Sequence, residues 1–403
     1  MKANSSPSGR IEYIQLLRLF AAICITVYHS RFLGEHGYFG VELFSMISGF
    51  ILLYSTEKTG SVHGFLRKRL IRIVPLYWLA TIAMYFLITL MPSLSIMSEA
   101  DPVYLIKSLC FIPFVNSKGY DTPVLGVGWT LNYEMLLYLL FFIALHISHR
   151  YHGIICGAFM LLLVILGHIP GCPYILSYYG NTFLLEFGMG MLAYRVWKQL
   201  SERTLIASIT HENVPGNAAE SIAENAPEGA VGNVPANASG NVPESAAGNA
   251  ASSAVGNTRT ADDNSASGKL SGSRFIHSGY DVFMVFAAVI SLLWMAADIG
   301  SEWTLPRFIR LGVPAWSFFL CTLILCRHIR IPALALRLGN ATYSLFLIEY
   351  FTTAIYKVFF SGMPLIMQIL PCICMLLFSM ACSLVSYEIF EKRLAGWLRR
   401  RLL

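Results

Sequence analysis

Residues 18–29 read RLFAAICITVYH, an arginine and a histidine eleven positions apart inside one apolar run. Charge at membrane depth is costly, so an ionisable residue there is by default a functional-site hypothesis. Eleven residues of helix advance about 16 Å, close to three full turns. Arg18 and His29 therefore share a helix face at different depths. That arrangement suits an extended ligand held at one end by Arg18 and reacting at the other near His29. The plain alternative is a snorkelling arginine and a structurally hydrogen-bonded histidine.

The rest of the chain places this run in a membrane. Of 403 residues, 56% are hydrophobic and 13% charged, and the mean hydropathy is +0.59. These values exclude an ordinary soluble domain. Ten stretches are long enough, or nearly so, to cross a bilayer: 11–31, 39–55, 74–92, 130–147, 153–169, 176–196, 279–297, 308–326, 340–360 and 365–388. The run 103–115 is too short and carries Lys107 and Pro113, so it reads as interfacial or re-entrant. With the N-terminus in the cytoplasm, nineteen Lys and Arg fall on the cytoplasmic ends and short loops, against six outside (Arg31, Lys107, Lys118, Arg307, Arg310 and Lys357). The fold class expected is all-α: a polytopic membrane helix bundle of about ten transmembrane helices with N- and C-termini cytoplasmic. The net charge of +6 is accounted for by this asymmetry, and no nucleic-acid partner is called for. The first span carries Arg18 and leads straight into further spans, so it reads as retained rather than as a cleaved signal. The nine cysteines are scattered and mostly within spans, which predicts neither a disulfide framework nor a zinc site.

The segment 201–275 is different material, rich in Ala, Asn, Gly, Ser, Glu and Pro. Asparagine recurs every eight residues from Asn217 to Asn257, a period too short for a solenoid and with almost nothing large and apolar to bury. It reads as a disordered, low-complexity cytoplasmic linker. The expected organisation is a cytoplasmic tail at 1–10, helices one to six at 11–200, the linker at 201–275, helices seven to ten at 276–390 and a basic tail at 391–403.

Other polar groups gather around the first span. In FLRKRLIRIVPLYW, Arg69 and Arg72 are three apart and share a helix face at the cytoplasmic mouth of the third span. Arg67, Lys68 and Arg69 are explained by orientation alone. Arg72 sits against the apolar run and is not, and guanidinium groups there suit bidentate phosphate binding. GVGWTLNYEMLLYLLFF opens the fourth span with Trp129 at the outer surface and Glu134 about one and a half turns deeper, at a depth expected to match His29. Trp129 also reads as a plain interfacial anchor. Glu134, Glu186 and Glu349 should all face the bundle, because a glutamate in lipid is costly. A carboxylate beside His29 would fix its tautomer and favour a base role, and the sequence leaves open which carboxylate does so.

Together these pieces resemble a known family. IQLLRLFAAICITVYH, GVELFSMISGFIL, RKRLIRIVPLYW, GWTLNYE and the closing SYEIFEKRL are similar to the acyltransferase-3 family of integral membrane acyltransferases. The opening and the WTLNYE form look most like its exopolysaccharide acetyltransferase branch. The resemblance implies transfer of an acetyl or other acyl group from acetyl-CoA, as co-substrate and without a metal, to a hydroxyl of a surface or exopolysaccharide sugar or lipid-linked glycan. It implies a multi-pass protein of the bacterial inner membrane, in contact with lipid. Carried over by motif, His29 and Glu134 are the candidate catalytic residues. Arg18, Arg69 and Arg72 are the candidates for the CoA end, and Trp129 and, on proximity alone, Asn132 are the candidates on the substrate side, Asn132 as an oxyanion donor. Ser48 and Gly49 match the SGF segment and read as a packing feature. Two departures stand out: Glu42 where aspartate is commoner, and Glu349 where many relatives have histidine. The sequence does not separate His29 as general base from His29 as acyl carrier. The rival class is a polytopic transporter or flippase of polysaccharide or lipid-linked sugar, against which stands the lack of visible paired halves.

Overall fold

The computed structural model describes residues 12–31, 36–59, 64–212, 279–297, 306–326, 331–360 and 362–402. The expected N-terminal tail, most of the 201–275 linker with its asparagine repeat, and the cytoplasmic cations Arg327 and Arg330 lie outside them. The chain divides into two units, 1–201 with 278–403, and 202–277. In the second, the described residues 202–212 are helical.

Every regular element among the described residues is a helix. In chain order these are α1 (Glu12–Ser30), α2 (Gly40–Thr59), α3 (Phe65–Leu90), α4 (Pro102–Leu109), α5 (Gly128–Ile147), α6 (His152–Gly167), α7 (Tyr174–Tyr179), α8 (Leu184–Glu212), α9 (Gly279–Ala296), α10 (Val313–Leu325), α11 (Ala333–Asn340), α12 (Thr342–Phe360), α13 (Leu365–Ser386) and α14 (Ala395–Leu402). A π-turn, Phe308–Gly312, leads into α10, and a longer one, Tyr387–Leu394, joins α13 to α14. Among the described residues, five stretches are long and apolar enough to cross a membrane: α1, α3, α5, the Phe308–Leu325 stretch and Leu365–Leu402. Large apolar side chains stand exposed along α13, with Ile366 at 81% and Leu370 at 69%. Such a surface belongs in lipid rather than in water.

The boundaries move where local chemistry competes with hydropathy. α3 starts nine residues before the expected span because the basic FLRKRL stretch continues the helix beyond the apolar run. The expected span 176–196 is broken in two. Gly180 lies against Gly167, where a Cβ on either would come within 2.5 Å of the other's Cα. Asn181 then accepts from the Phe183 N–H at 2.9 Å, which starts α8 afresh. The short run expected at the interface is α4, begun by Asp101, whose carboxylate accepts from the Val103 and Tyr104 N–H groups.

α1 is central, packing against α2, α11 and α12. α2 and α8 approach closely. A Cβ at Gly49 would sit 1.9 Å from the Phe187 carbonyl oxygen, and one at Gly190 would sit 2.0 Å from that of Met46. Small residues that let helix backbones meet are the usual device of membrane packing. The SGF segment is therefore a crossing point between helices.

Candidate active site

His29 occupies the last turn of α1 and points at α12. Its Nδ1–H donates to Glu349 Oε1 at 2.8 Å. Glu349 is 1% exposed and His29 20%. The carboxylate holds the ring in the tautomer that leaves Nε2 as the basic nitrogen. The Tyr350 ring meets the imidazole edge-on at 6.0 Å, and Tyr28 lies 5.4 Å away on the other side.

At the other end of α1, Arg18 lines two cavities that share Arg18, Ile51 and Arg72. One is a narrow throat of 90 Å³, and the other is a wide chamber of 560 Å³. Arg69 and Glu134 line the throat with Arg18 and Arg72, so the structure brings together all three arginines expected at the donor end. Their neighbours Arg67 and Lys68 are exposed and line neither cavity. Arg69 is fixed by a 2.7 Å hydrogen bond to Ser55 Oγ and by the faces of Phe65 and Tyr138, at 5.7 and 5.6 Å. The throat runs up to Ile25, Val41 and Phe183, about one helical turn short of His29.

The fourth-span residues part company. Glu134 accepts a short hydrogen bond from Tyr138 and lines the throat among the arginines. It is thus placed at the level of Arg18, not at the depth of His29 as expected, and the carboxylate that meets His29 is Glu349. Face periodicity gives the side of α5 on which Glu134 lies, but its depth relative to α1 depends on how the helices pack. Asn132 is buried, donates to the Tyr178 hydroxyl at 3.3 Å and lines neither cavity. Trp129 is half-buried against Tyr133 and Phe183.

Arg307 was read only as an outer cation. It donates twice to Glu42 Oε1, from Nε at 2.9 Å and Nη2 at 2.7 Å. Its guanidinium lies over Tyr38 at 4.5 Å and within 6.0 Å of Trp129. Tyr38 in turn meets Tyr28 at 5.0 Å, so ring contacts connect this pair to His29. The signal available in the sequence was Glu42 itself, a carboxylate in an apolar run that needs a cation. Glu186, completely buried, lies next to Glu42. In the 93–128 loop Tyr104 stacks on Phe114 at 4.9 Å, with Lys107 over the pair, and Phe111 stacks on Tyr77 of α3 at 4.8 Å.

The fold and the site define a helical membrane protein with a cation-lined cavity at one end of its first helix and a histidine–carboxylate pair at the other. The sequence model of the acyltransferase-3 family, described as an acyltransferase domain, matches residues 11–388, and the chain belongs to that family. It is 36% identical over 172 residues to the exopolysaccharide production protein ExoZ of Rhizobium meliloti (strain 1021), covering 41% of this chain and 53% of that one. It is 26% identical over 237 residues to nodulation protein 10 of Rhizobium leguminosarum bv. viciae, covering 50% and 64%. It is also 26% identical over 197 residues to the putative acetyltransferase ORF330 of Acidianus two-tailed virus, covering 46% and 58%. The chain thus spans between about half and two thirds of the length of these curated relatives. No solved structure matches it.

Proposed function

We propose that this chain is a membrane O-acyltransferase that moves an acetyl group from acetyl-CoA to a hydroxyl of a surface or exopolysaccharide sugar or a lipid-linked glycan. The observation that carries the reading is His29, paired with Glu349 of α12, on the same helix whose Arg18 lines the cation-rich cavity. Family membership supports transfer over transport. We take the topology to be ten spans with both termini in the cytoplasm, supported by the distribution of Lys and Arg, and the location to be a bacterial inner membrane.

On this reading acetyl-CoA comes from the cytoplasm, where Arg69 and Arg72 receive its phosphates and its pantetheine arm follows the throat past Arg18. The two cavities share Arg18, Ile51 and Arg72, which supports a ligand that reaches from one into the other, as a nucleotide carrying a long arm does. His29 Nε2 removes the proton of the sugar hydroxyl, and the oxygen attacks the thioester carbonyl carbon. The C–S bond breaks, and the thiolate takes the proton from the imidazolium to leave as CoA thiol. Glu349 orients the ring and stabilises its charged form without taking the proton itself, as in hydrolase triads. In the two-step variant Nε2 carries the acetyl group between donor and acceptor. Either route requires the side chains that cap the throat, Ile25, Val41 and Phe183, to part. Glu134 puts a carboxylate in the wall of the throat among the arginines. Trp129 and Arg307 stand on the acceptor side.

The test uses the purified chain, radiolabelled acetyl-CoA and the source's own surface glycan, wild type against His29→Ala. Label in the glycan from wild type alone is the expected result. Near-normal labelling by the variant would sink the mechanism, and failure of the wild type to bind acetyl-CoA would remove the donor.

A further inference from the structure

The chamber of 560 Å³ lies within the range of about 300–1,000 Å³ usual for small-molecule sites. One of its walls comes from an unexpected source. Tyr387, Glu391 and Lys392 of the long π-turn, and Gly396 and Arg399 of α14, line it opposite the first turns of α1. In the sequence, 391–403 reads as a basic tail, and the closing motif SYEIFEKRL covers 386–394. The structure ties it down at both ends. Glu391 Oε1 accepts from Ser344 N–H at 3.2 Å and from Ser344 Oγ at 2.7 Å, and Arg67 Nη1 donates to the Leu402 carbonyl at 3.4 Å. Eight residues of π-helix are rare, and such turns occur frequently at functional sites.

Charge selects the kind of ligand. Four cations line the chamber, Arg18, Arg72, Lys392 and Arg399, against one carboxylate, Glu391, which is already held by Ser344. That balance suits a polyanion. Order along the molecule then divides the cations. Arg18 and Arg72 stand where chamber and throat meet, and Arg399 lines the chamber alone. In coenzyme A the pyrophosphate adjoins the arm, and the ribose 3′-phosphate lies farther from it. Among the cations of the closing stretch, Lys392 is answered by Glu388 at 2.6 Å. Arg401 lies over Trp397 at 5.0 Å, and Arg393 and Arg400 line neither cavity. No carboxylate among the described residues forms an ion pair with Arg399.

We propose that residues 387–402 form a recognition wall for the nucleotide end of coenzyme A, with Arg399 binding the ribose 3′-phosphate. The inference rests on the donor assigned under the proposed function and adds the group that distinguishes coenzyme A from its 3′-dephospho form.

The experiment is displacement of radiolabelled acetyl-CoA from the purified full chain by CoA and by 3′-dephospho-CoA. Loss of a charge-assisted phosphate contact is worth roughly ten- to a hundredfold in affinity. Wild type should therefore prefer CoA by at least about tenfold. In Arg399→Ala the preference should fall to about one, while the affinity for 3′-dephospho-CoA stays at the wild-type level, which also reports that the variant is folded. Arg399→Lys should keep part of the preference. Equal affinity of wild type for both ligands, or equal weakening of both by Arg399→Ala, would overturn the inference and leave the donor assignment standing. So would a variant whose only change is weaker retention on vesicles of anionic lipid, since that marks Arg399 as a headgroup contact. Absence of any acetyl-CoA binding by wild type would instead overturn the donor assignment, and this inference with it.

Discussion

At one end of α1, Arg18, Arg69 and Arg72 converge on a cavity, and none of the three forms an ion pair among the described residues. At the other end, two polar partnerships are closed on buried carboxylates: His29 with Glu349, and Arg307 with Glu42, whose carboxylates are 1% and 0% exposed. Cations left facing a cavity are poised for an anion that arrives and leaves. Groups matched to internal carboxylates are fixed parts that orient one another. The difference teaches where the molecule keeps its exchangeable ligand and where it keeps its preset chemistry. On the proposed function, the first end takes the donor's phosphates and the second performs the transfer.

The comparison breaks most readily at His29. His29→Ala should cut transfer by about 10²–10⁴-fold, the usual contribution of a positioned base, with acetyl-CoA binding unchanged. A parallel loss of binding would mean that the two ends are not separate. Glu349→Gln should lose less, about 10²-fold in kcat, at the low end of the same range, with KM for acetyl-CoA unmoved. Equality with His29→Ala would make the pair a single unit.

The closed pair Arg307–Glu42 should matter for the fold. Removing one partner strands a buried charge, so Glu42→Leu should destabilise by about 3–5 kcal/mol, read as a fall in thermal unfolding temperature in detergent. Glu42→Leu with Arg307→Met should recover much of that loss. If the double variant is folded but transfers poorly, the pair also serves the acceptor side.

At the cavity end, Arg69→Ala should weaken acetyl-CoA binding by about ten- to a hundredfold, measured by equilibrium binding. Lys68→Ala, one residue earlier and exposed, should stay within about 0.5 kcal/mol in stability and leave binding unchanged. Equal effects of the two would reduce the arginine cluster to a general surface charge.

Much of the cavity end was legible in the sequence because it depends on local spacing. Arg69 and Arg72 share a face through helical periodicity, and Arg18 declares itself by standing in an apolar run. The outer end was less legible. Glu134 and Glu349 were both visible as carboxylates that must face inward, and the sequence left the choice between them open. The pairing of Arg307 with Glu42 joins residues 265 apart and left no mark in local pattern.

The sequence by itself determined an all-helical membrane chain, its family motifs and the residues too costly to place in lipid. Hydropathy and periodicity act within one helix, and they fix which face of that helix turns inward. Only the tertiary structure decided which side chains meet: His29 with Glu349, Arg307 with Glu42, Glu134 with the arginines, and Arg399 with the larger cavity. Those meetings depend on how helices cross and tilt, and crossing is set by contacts such as Gly49 against Phe187, between segments far apart in the chain.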